Sequence, residues 1–261
     1  MLKYKLLEDY ANVWIKSKDI HGFLVEGPVG MGKTYTIERI LKAKKKPYCL
    51  LNTYITPLTL YITLYNFRNH FVVIDDVLEL FKNKTNSGLL IAALQSEKKE
   101  RLVSYNSTTE KLKEIPRQFY FNGKIAIICN KLPKRLDHLK SRCYQFELKF
   151  NYNEKLEILE HIARKLHYPK VIVDFIKQNT SEATPDEILN IRLLLKLHSI
   201  YKTHPKKWKE LGIYLLKKDS DLYLVKQIIE KYPNVRDQIK VYQELTGKSR
   251  ASFYRTKQKL L

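Results

Sequence analysis

Acidic residues are in short supply in this chain of 261 residues: 27 Asp plus Glu stand against 48 Lys plus Arg, a formal net charge of +21. That imbalance favours a polyanionic partner, nucleic acid or an anionic membrane surface. No apolar run approaches the roughly 18 residues a membrane span needs, and the opening MLKYKLLEDYANVW lacks the apolar middle of a signal peptide. Nucleic acid is therefore the better expectation, with a cytoplasmic location and no membrane partner. Cysteine is equally sparse. Cys49, Cys129 and Cys143 are too few and too scattered for a disulfide framework or a zinc site, and are read as buried or inert. The seven histidines form no HxH or HExxH spacing. With 44% hydrophobic content the chain can build one substantial core and a smaller second module.

Glycine is scarce too, eight in all, yet three fall within six positions of GPVGMGKT, residues 27–34. Gly27, Gly30 and Gly32 let the backbone close around an anion with no β-carbon in the way. The loop, with Pro28, Val29 and Met31 between its glycines, follows the apolar run Phe23-Leu24-Val25 and leads into a helical stretch beginning near Tyr35. Strand, G-x-x-x-x-G-K-[ST] and helix are the context of a phosphate loop. Backbone N–H groups hold the phosphates of ATP, Lys33 reaches the β and γ groups, and the Thr34 hydroxyl binds Mg²⁺. Any metal is expected to come with the nucleotide.

Two further strands end in polar residues. HFVVIDDV carries the apolar run 71–74 and then Asp75 and Asp76, the pattern of a buried parallel strand ending at a site. Asp75 is expected to hold Mg²⁺ through water, and Asp76 to orient or deprotonate the attacking water. Glutamate is more usual at that second position; aspartate, one methylene shorter, implies either a closer water or slow hydrolysis. GKIAIICN ends at Asn130, an amide placed to polarise the same water or touch the γ-phosphate. Farther on, Arg142 precedes the alternating strand Tyr144, Phe146, Leu148.

Phosphate loop, acidic strand end, polar strand end and the SR pair at 141–142, in this order, resemble the AAA+ ATPases over about residues 15–200. The resemblance implies a parallel α/β core with a helical lid, Asn130 as sensor 1, and Arg142 as an arginine finger completing the site of a neighbouring copy. Arg135 is the other finger candidate, and a surface or ion-paired Arg142 is the alternative. In the lid, NYNEKLEILEHIARKL places Leu156, Leu159, Ile162 and Leu166 on one helical face. Thr184-Pro185-Asp186-Glu187 reads as a helix start, with Ile188, Ile191 and Leu195 facing the core. Arg192, at the edge of that stripe, matches sensor 2 in the resemblance; an arginine whose stem lies beside the core is the alternative. Residues 80–122 form a long insertion whose centre is expected to pair as strands around Asn106-Ser107. Lys98, Lys99 and Arg101 there are either channel-lining contacts, as in ring-forming relatives, or a solvated charge run.

The C-terminal stretch VYQELTGKSRASFYRTKQKLL reads as a helix ending at Gly247, a tight turn, and a second helix from about Ser249. Ala251, Phe253 or Tyr254, and Leu260 are expected inward, leaving Lys248, Arg250, Ser252, Arg255 and Lys257 for phosphates or base edges of DNA. The stretch is similar to the turn and recognition helix of helix-turn-helix regulators, although Gln243 stands where a small residue is usual. A basic hairpin packed on the lid is the alternative. The expected layout is a nucleotide-binding α/β domain at 1–150, a lid at 151–204, and a helix-turn-helix-like domain at 205–261. An AAA+ core followed by such a reader resembles the initiator group of DnaA and the origin-recognition proteins, and VVIDDV looks like the double-aspartate strand of DnaA. The resemblance implies an ATPase acting on DNA in replication initiation or helicase loading, assembling with copies of itself and serving a replicative helicase; the compact size suits a virus or plasmid. A transposition or partner-loading ATPase and an ATP-switched transcription regulator stay open.

Overall fold

The apolar runs that end at the motifs lie side by side. In a computed structural model, which describes residues 2–95, 100–106, 115–133, 136–216, 220–258 and 260, β1 (Gly22–Glu26), β2 (Tyr48–Leu51), β3 (Phe71–Asp75), β6 (Lys124–Cys129) and β7 (Cys143–Glu147) form a five-stranded sheet of order β2-β3-β6-β1-β7. Every pairing is parallel. Such strands are buried on both faces, which is why they read as unbroken apolar runs. On one face α1 (Leu2–Lys16) sets Trp14 against Phe23 and Phe71, at ring-centroid distances of 5.5 and 5.2 Å. On the other, Leu24, Val72, Ile74, Ile125 and Ile127 meet Leu60, Tyr61 and Leu64 of α3 (Pro57–Asn66) and Leu89, Leu90 and Ala93 of α4 (Lys84–Ala93). Because all strands run one way, the loops after β1, β3 and β6 share the carboxyl edge, and β6 lies between the other two. The cysteines are free thiols, and burial raises the pKa of each, to about 12 for Cys129 and Cys143.

The insertion forms a strand pair, but a wider one than expected. β4 (Leu102–Ser104) and β5 (Gln118–Tyr120) are antiparallel, with Ser104 opposite Gln118. Residues 107–114 between them, and Lys98 and Lys99 before them, lie outside the described residues. Arg101 lines no channel surface: it is 3% exposed, and its guanidinium donates to the carbonyls of Ala93 at 2.8 Å and Gly123 at 2.9 Å.

The chain divides into two compact units, residues 1–149 and 150–261. In the second, α6 (Tyr152–Lys165), α7 (Lys170–Asn179), α8 (Ile191–Thr203) and α9 (Trp208–Leu216) enclose a core of Leu159, Ile172, Phe175, Leu193, Leu194, Leu197 and Trp208. A capping box of Asn151 and Glu154 starts α6, while Leu166, expected inward, is the exposed residue at its C-terminal cap. The start of α8 differs from the sequence reading. Asn190, not Thr184, caps it: the Asn190 carboxamide accepts from Leu193 N–H and donates to the carbonyls of Asp186 and Glu187, holding 185–190 as a turn. Moving the start rotates the buried stripe to Leu193, Leu194 and Leu197 and leaves Leu195 exposed. A separate cluster of Val225, Ile228, Ile239, Tyr242 and Phe253 joins α10 (Ser220–Lys231), α11 (Val235–Thr246) and α12 (Arg250–Gln258). Among the described residues no helix is long and apolar enough to cross a membrane.

Candidate functional site

The loop after β1 is built from the backbone outward. A β-carbon on Gly27 would lie 2.8 Å from both the Cβ and the carbonyl oxygen of Leu148, so only glycine lets the loop leave the strand there. Gly30 (φ 68°) and Gly32 (φ 75°) adopt left-handed conformations. Gly32 caps α2 (Lys33–Ala43) without a side chain, leaving the first-turn N–H groups facing the loop, the arrangement that binds anions. Met31 is fully buried and its carbonyl accepts the Tyr4 hydroxyl; Pro28 and Val29 are half-buried and Tyr35 is exposed.

The polar ends of the three strands converge on this loop. Lys33, 8% exposed, donates through Nζ to the carbonyls of Gly27 and Pro28, each at 2.8 Å, and to Asn130 Oδ1 at 3.2 Å. Thr34 donates its hydroxyl to Asp75 Oδ1 at 2.7 Å. Burial raises the Asp75 pKa, and the Thr34 hydrogen bond opposes that rise. Asp76 follows with φ 54°, a left-handed conformation that aspartate tolerates; its N–H donates to Ile128 O at 2.8 Å and its side chain is exposed. Among the described residues no three His, Cys, Asp or Glu side chains gather as a metal site.

Of the marked arginines, Arg142 lies away from this loop within the first unit. Arg142 immediately precedes β7, at the amino edge of the sheet, because its neighbour Cys143 pairs with Gly22 while the loop departs beyond Glu26. Its guanidinium donates to the His138 carbonyl in an exposed position. Arg135 lies outside the described residues. Arg192, in the second unit, is exposed in the first turn of α8.

In the tail, Gly247 ends α11 with φ 68° and donates its N–H to Gln243 O at 2.9 Å; the Ser249 hydroxyl accepts the Ser252 N–H at 3.3 Å as α12 begins. Tyr242 and Phe253 fill the crossing with centroids 5.4 Å apart, and Gln243 is exposed, so its size does not limit the approach. Lys248, Arg250 and Arg255 are exposed. Ser252 and Lys257 turn inward instead. The Ser252 hydroxyl lies 3.3 Å from that of Tyr242, and Lys257 Nζ donates to Gln238 Oε1 at 3.2 Å above the Phe253 ring. Ala251 is exposed, and Tyr254 faces outward beneath the Arg250 guanidinium, 5.6 Å from its centroid.

No protein-family model matches the chain. A curated relative, an uncharacterized 36.7 kDa protein of the nrdC-mobD intergenic region of Enterobacteria phage T4, is 30% identical over 159 residues, 54% of this chain and 48% of that one. The chain thus spans about half the length of the curated relative it matches. Among solved structures, the RuvB Holliday junction branch migration motor of Thermotoga maritima aligns with 95% of this chain and 82% of its own, at 16% identity and TM-score 0.55. The replication initiator DnaA bound to AMPPCP and single-stranded DNA aligns over 87% of this chain and 68% of its own, at 13% identity and TM-score 0.53. The fold is that of the AAA+ ATPases. Domain III of Thermotoga maritima DnaA shares it at 16% identity and TM-score 0.50, over 83% of this chain and 92% of its own. Within the first unit, motif reading passed over α1, whose buried Leu7, Ala11 and Trp14 at helical spacing were the available signal. It also passed over Glu26, one residue before the pattern begins, whose carboxylate accepts the Leu132 N–H.

Proposed function

We propose that this chain is an ATP-hydrolysing, DNA-binding AAA+ protein acting in replication initiation or helicase loading. The observation that carries the reading is the meeting of Lys33, Thr34, Asp75 and Asn130 at the ends of three parallel strands. The loop fits a polyphosphate: Gly27 leaves no room for a β-carbon, and the uncapped start of α2 faces the loop. The Thr34 hydroxyl and Asp75 carboxylate, 2.7 Å apart, are the hard oxygen donors that Mg²⁺ prefers. When bound, Mg²⁺ supplies charge neutralisation at the phosphates. The chain's own residues do the rest. Lys33 exchanges its carbonyl partners for phosphate oxygens, Asp76 orients or deprotonates the attacking water, and Asn130 holds the reacting end.

Arg142 sits away from this constellation, which supports a role in completing the site of a neighbouring copy; Arg192 serves the nucleotide from the lid. The assigned layout is nucleotide binding at 1–150, the lid at 151–204 and DNA reading within 205–261, with Lys248, Arg250 and Arg255 on the outer face. The net charge of +21 and the two DNA-acting neighbours support DNA as the partner. A replicative helicase as client and a cytoplasmic setting complete the proposal. The RuvB likeness, over 95% of the chain, favours a second reading as a motor on branched DNA.

Mixing experiments test the core of the reading. Arg142→Ala is expected to bind ATP and hydrolyse it poorly, and adding Lys33→Ala should restore part of the activity, one copy supplying the pocket and the other the finger. Absence of rescue, with co-assembly verified, overturns the assignment across subunits. Electron microscopy with an ATP analogue on duplex and four-way junction DNA separates initiator from branch motor by the substrate on which assemblies form.

A further inference from the structure

The sheet ladder between β1 and β6 ends where Glu26 pairs with Cys129. Asn130 is the next residue, exposed, so sheet pairing no longer sets its position. Three bonds from the other side of the loop do. Gly27 donates its N–H to Asn130 O at 3.2 Å, Lys33 donates to Asn130 Oδ1 at 3.2 Å, and Glu26 Oε1 accepts the N–H of Leu132 at 2.6 Å. Leu132 is 2% exposed, with its side chain in the apolar core of the first unit. Its amide is thus backed by apolar packing, and a carboxylate is the stronger kind of acceptor for it. Removing the acceptor leaves an amide at the edge of the core unpaired, and segment 130–132 must shift to satisfy it.

We infer that Glu26 is a positioning residue for the nucleotide reaction: it holds segment 130–132 so that the Asn130 amide stays against Lys33. The inference rests on the ATPase reading above. Glu26 acts through Asn130 and takes no part in phosphate contact, so its loss slows the chemical step while nucleotide affinity is kept. Substituting Asn130 as well removes the thing being positioned, so the two effects overlap.

The test is a double-mutant cycle in the full-length protein, read as kcat for ATP hydrolysis, affinity for a fluorescent ADP analogue, and the urea unfolding midpoint. Glu26→Ala should lower kcat about tenfold with ADP affinity within about threefold, while Glu26→Gln, which keeps an acceptor, stays within about threefold of the parent kcat. In the Asn130→Ala background, Glu26→Ala should change kcat by less than about twofold. Effects that multiply, ADP affinity falling in step with kcat, or Glu26→Gln as slow as Glu26→Ala would each overturn the inference. Should Glu26→Ala not fold, Glu26→Asp enters the same cycle, and a multiplying effect counts equally against it. A folded parent protein that hydrolyses no ATP overturns the ATPase reading and the inference together. An active parent with multiplying effects overturns the inference alone.

Discussion

At the carboxyl edge of the sheet, the residues marked by motif are brought into contact: Lys33 with Asn130, Thr34 with Asp75. On α11 and α12, the residues marked for DNA contact divide, with Arg250 and Arg255 outside and Ser252 and Lys257 turned inward. The difference lies in what sets a side chain's direction. A strand end and a glycine loop place residues through the backbone, and parallel register carries that placement across the sheet. A helix turns about 100° per residue, so one shifted position changes which side chains reach solvent.

The sharpest way to break this contrast is at Lys33. Lys33→Ala is expected to lower ATP affinity by at least about a hundredfold, because the ammonium sits inside the loop. Asp76→Asn should leave affinity within about threefold and remove hydrolysis, since the Asp76 side chain is exposed at the site's edge. Titration calorimetry and phosphate release separate the two. Equal loss of affinity in both variants would mean that the edge does not divide binding from chemistry as its geometry indicates.

The same contrast explains what was legible beforehand. The glycine loop, the two polar-ended apolar strands and the SR pair carried the resemblance to an AAA+ fold, and the loop and strand ends pointed to one cluster because parallel strands present their ends on one edge. Glu26 was not legible as an acceptor, since the amide it meets, on Leu132, belongs to a distant segment. The start of α8 was misread because Thr-Pro-Asp-Glu satisfies local capping rules, while Asn190 makes a competing set of bonds that hold a turn. Arg101 was read as surface charge, yet its guanidinium is matched to two carbonyls inside the fold.

Truncation probes the helical side. The proposed DNA-reading tail includes α10, because Val225 and Ile228 share a core with Tyr242 and Phe253. Ending the chain at Leu216 rather than within α10 keeps that core from being cut, and should leave nucleotide binding intact while DNA affinity falls at least about tenfold. Fluorescence anisotropy with and without an ATP analogue measures both. Unchanged DNA affinity would transfer DNA contact to the first 216 residues.

Glycines in the two regions give a smaller effect with a clear sign. Gly27→Ala forces a β-carbon to 2.8 Å from Leu148 and is expected to cost about 1–3 kcal/mol in urea unfolding, with weakened nucleotide binding. Gly247→Ala meets no atom within 4 Å and bears only the left-handed φ of 68°, about 1 kcal/mol, with nucleotide binding unchanged. Similar losses of nucleotide binding in both variants would remove the distinction between a packed loop and an open turn.

The smallest effect tests which cations of α12 meet DNA. Charge alone treats Arg255 and Lys257 alike, since both are basic and two residues apart. The structure separates them: Arg255 is exposed, while Lys257 donates to Gln238 and lies over Phe253, bracing α12 against α11. A phosphate contact releases counterions, so Arg255→Ala should weaken all DNA alike and reduce the slope of log K against log salt by about one unit. Arg250→Ala, if its guanidinium meets a guanine edge, should relax sequence preference by about 1–3 kcal/mol. Lys257→Ala should leave the salt slope within experimental error and instead lower the unfolding midpoint slightly, because what it loses is an internal hydrogen bond of about 1 kcal/mol. Anisotropy titrations at four or more salt concentrations read the slopes directly. A drop of about one unit for Lys257→Ala would show that its ammonium leaves Gln238 for phosphate on binding, and that the charge pattern alone had marked the DNA face correctly.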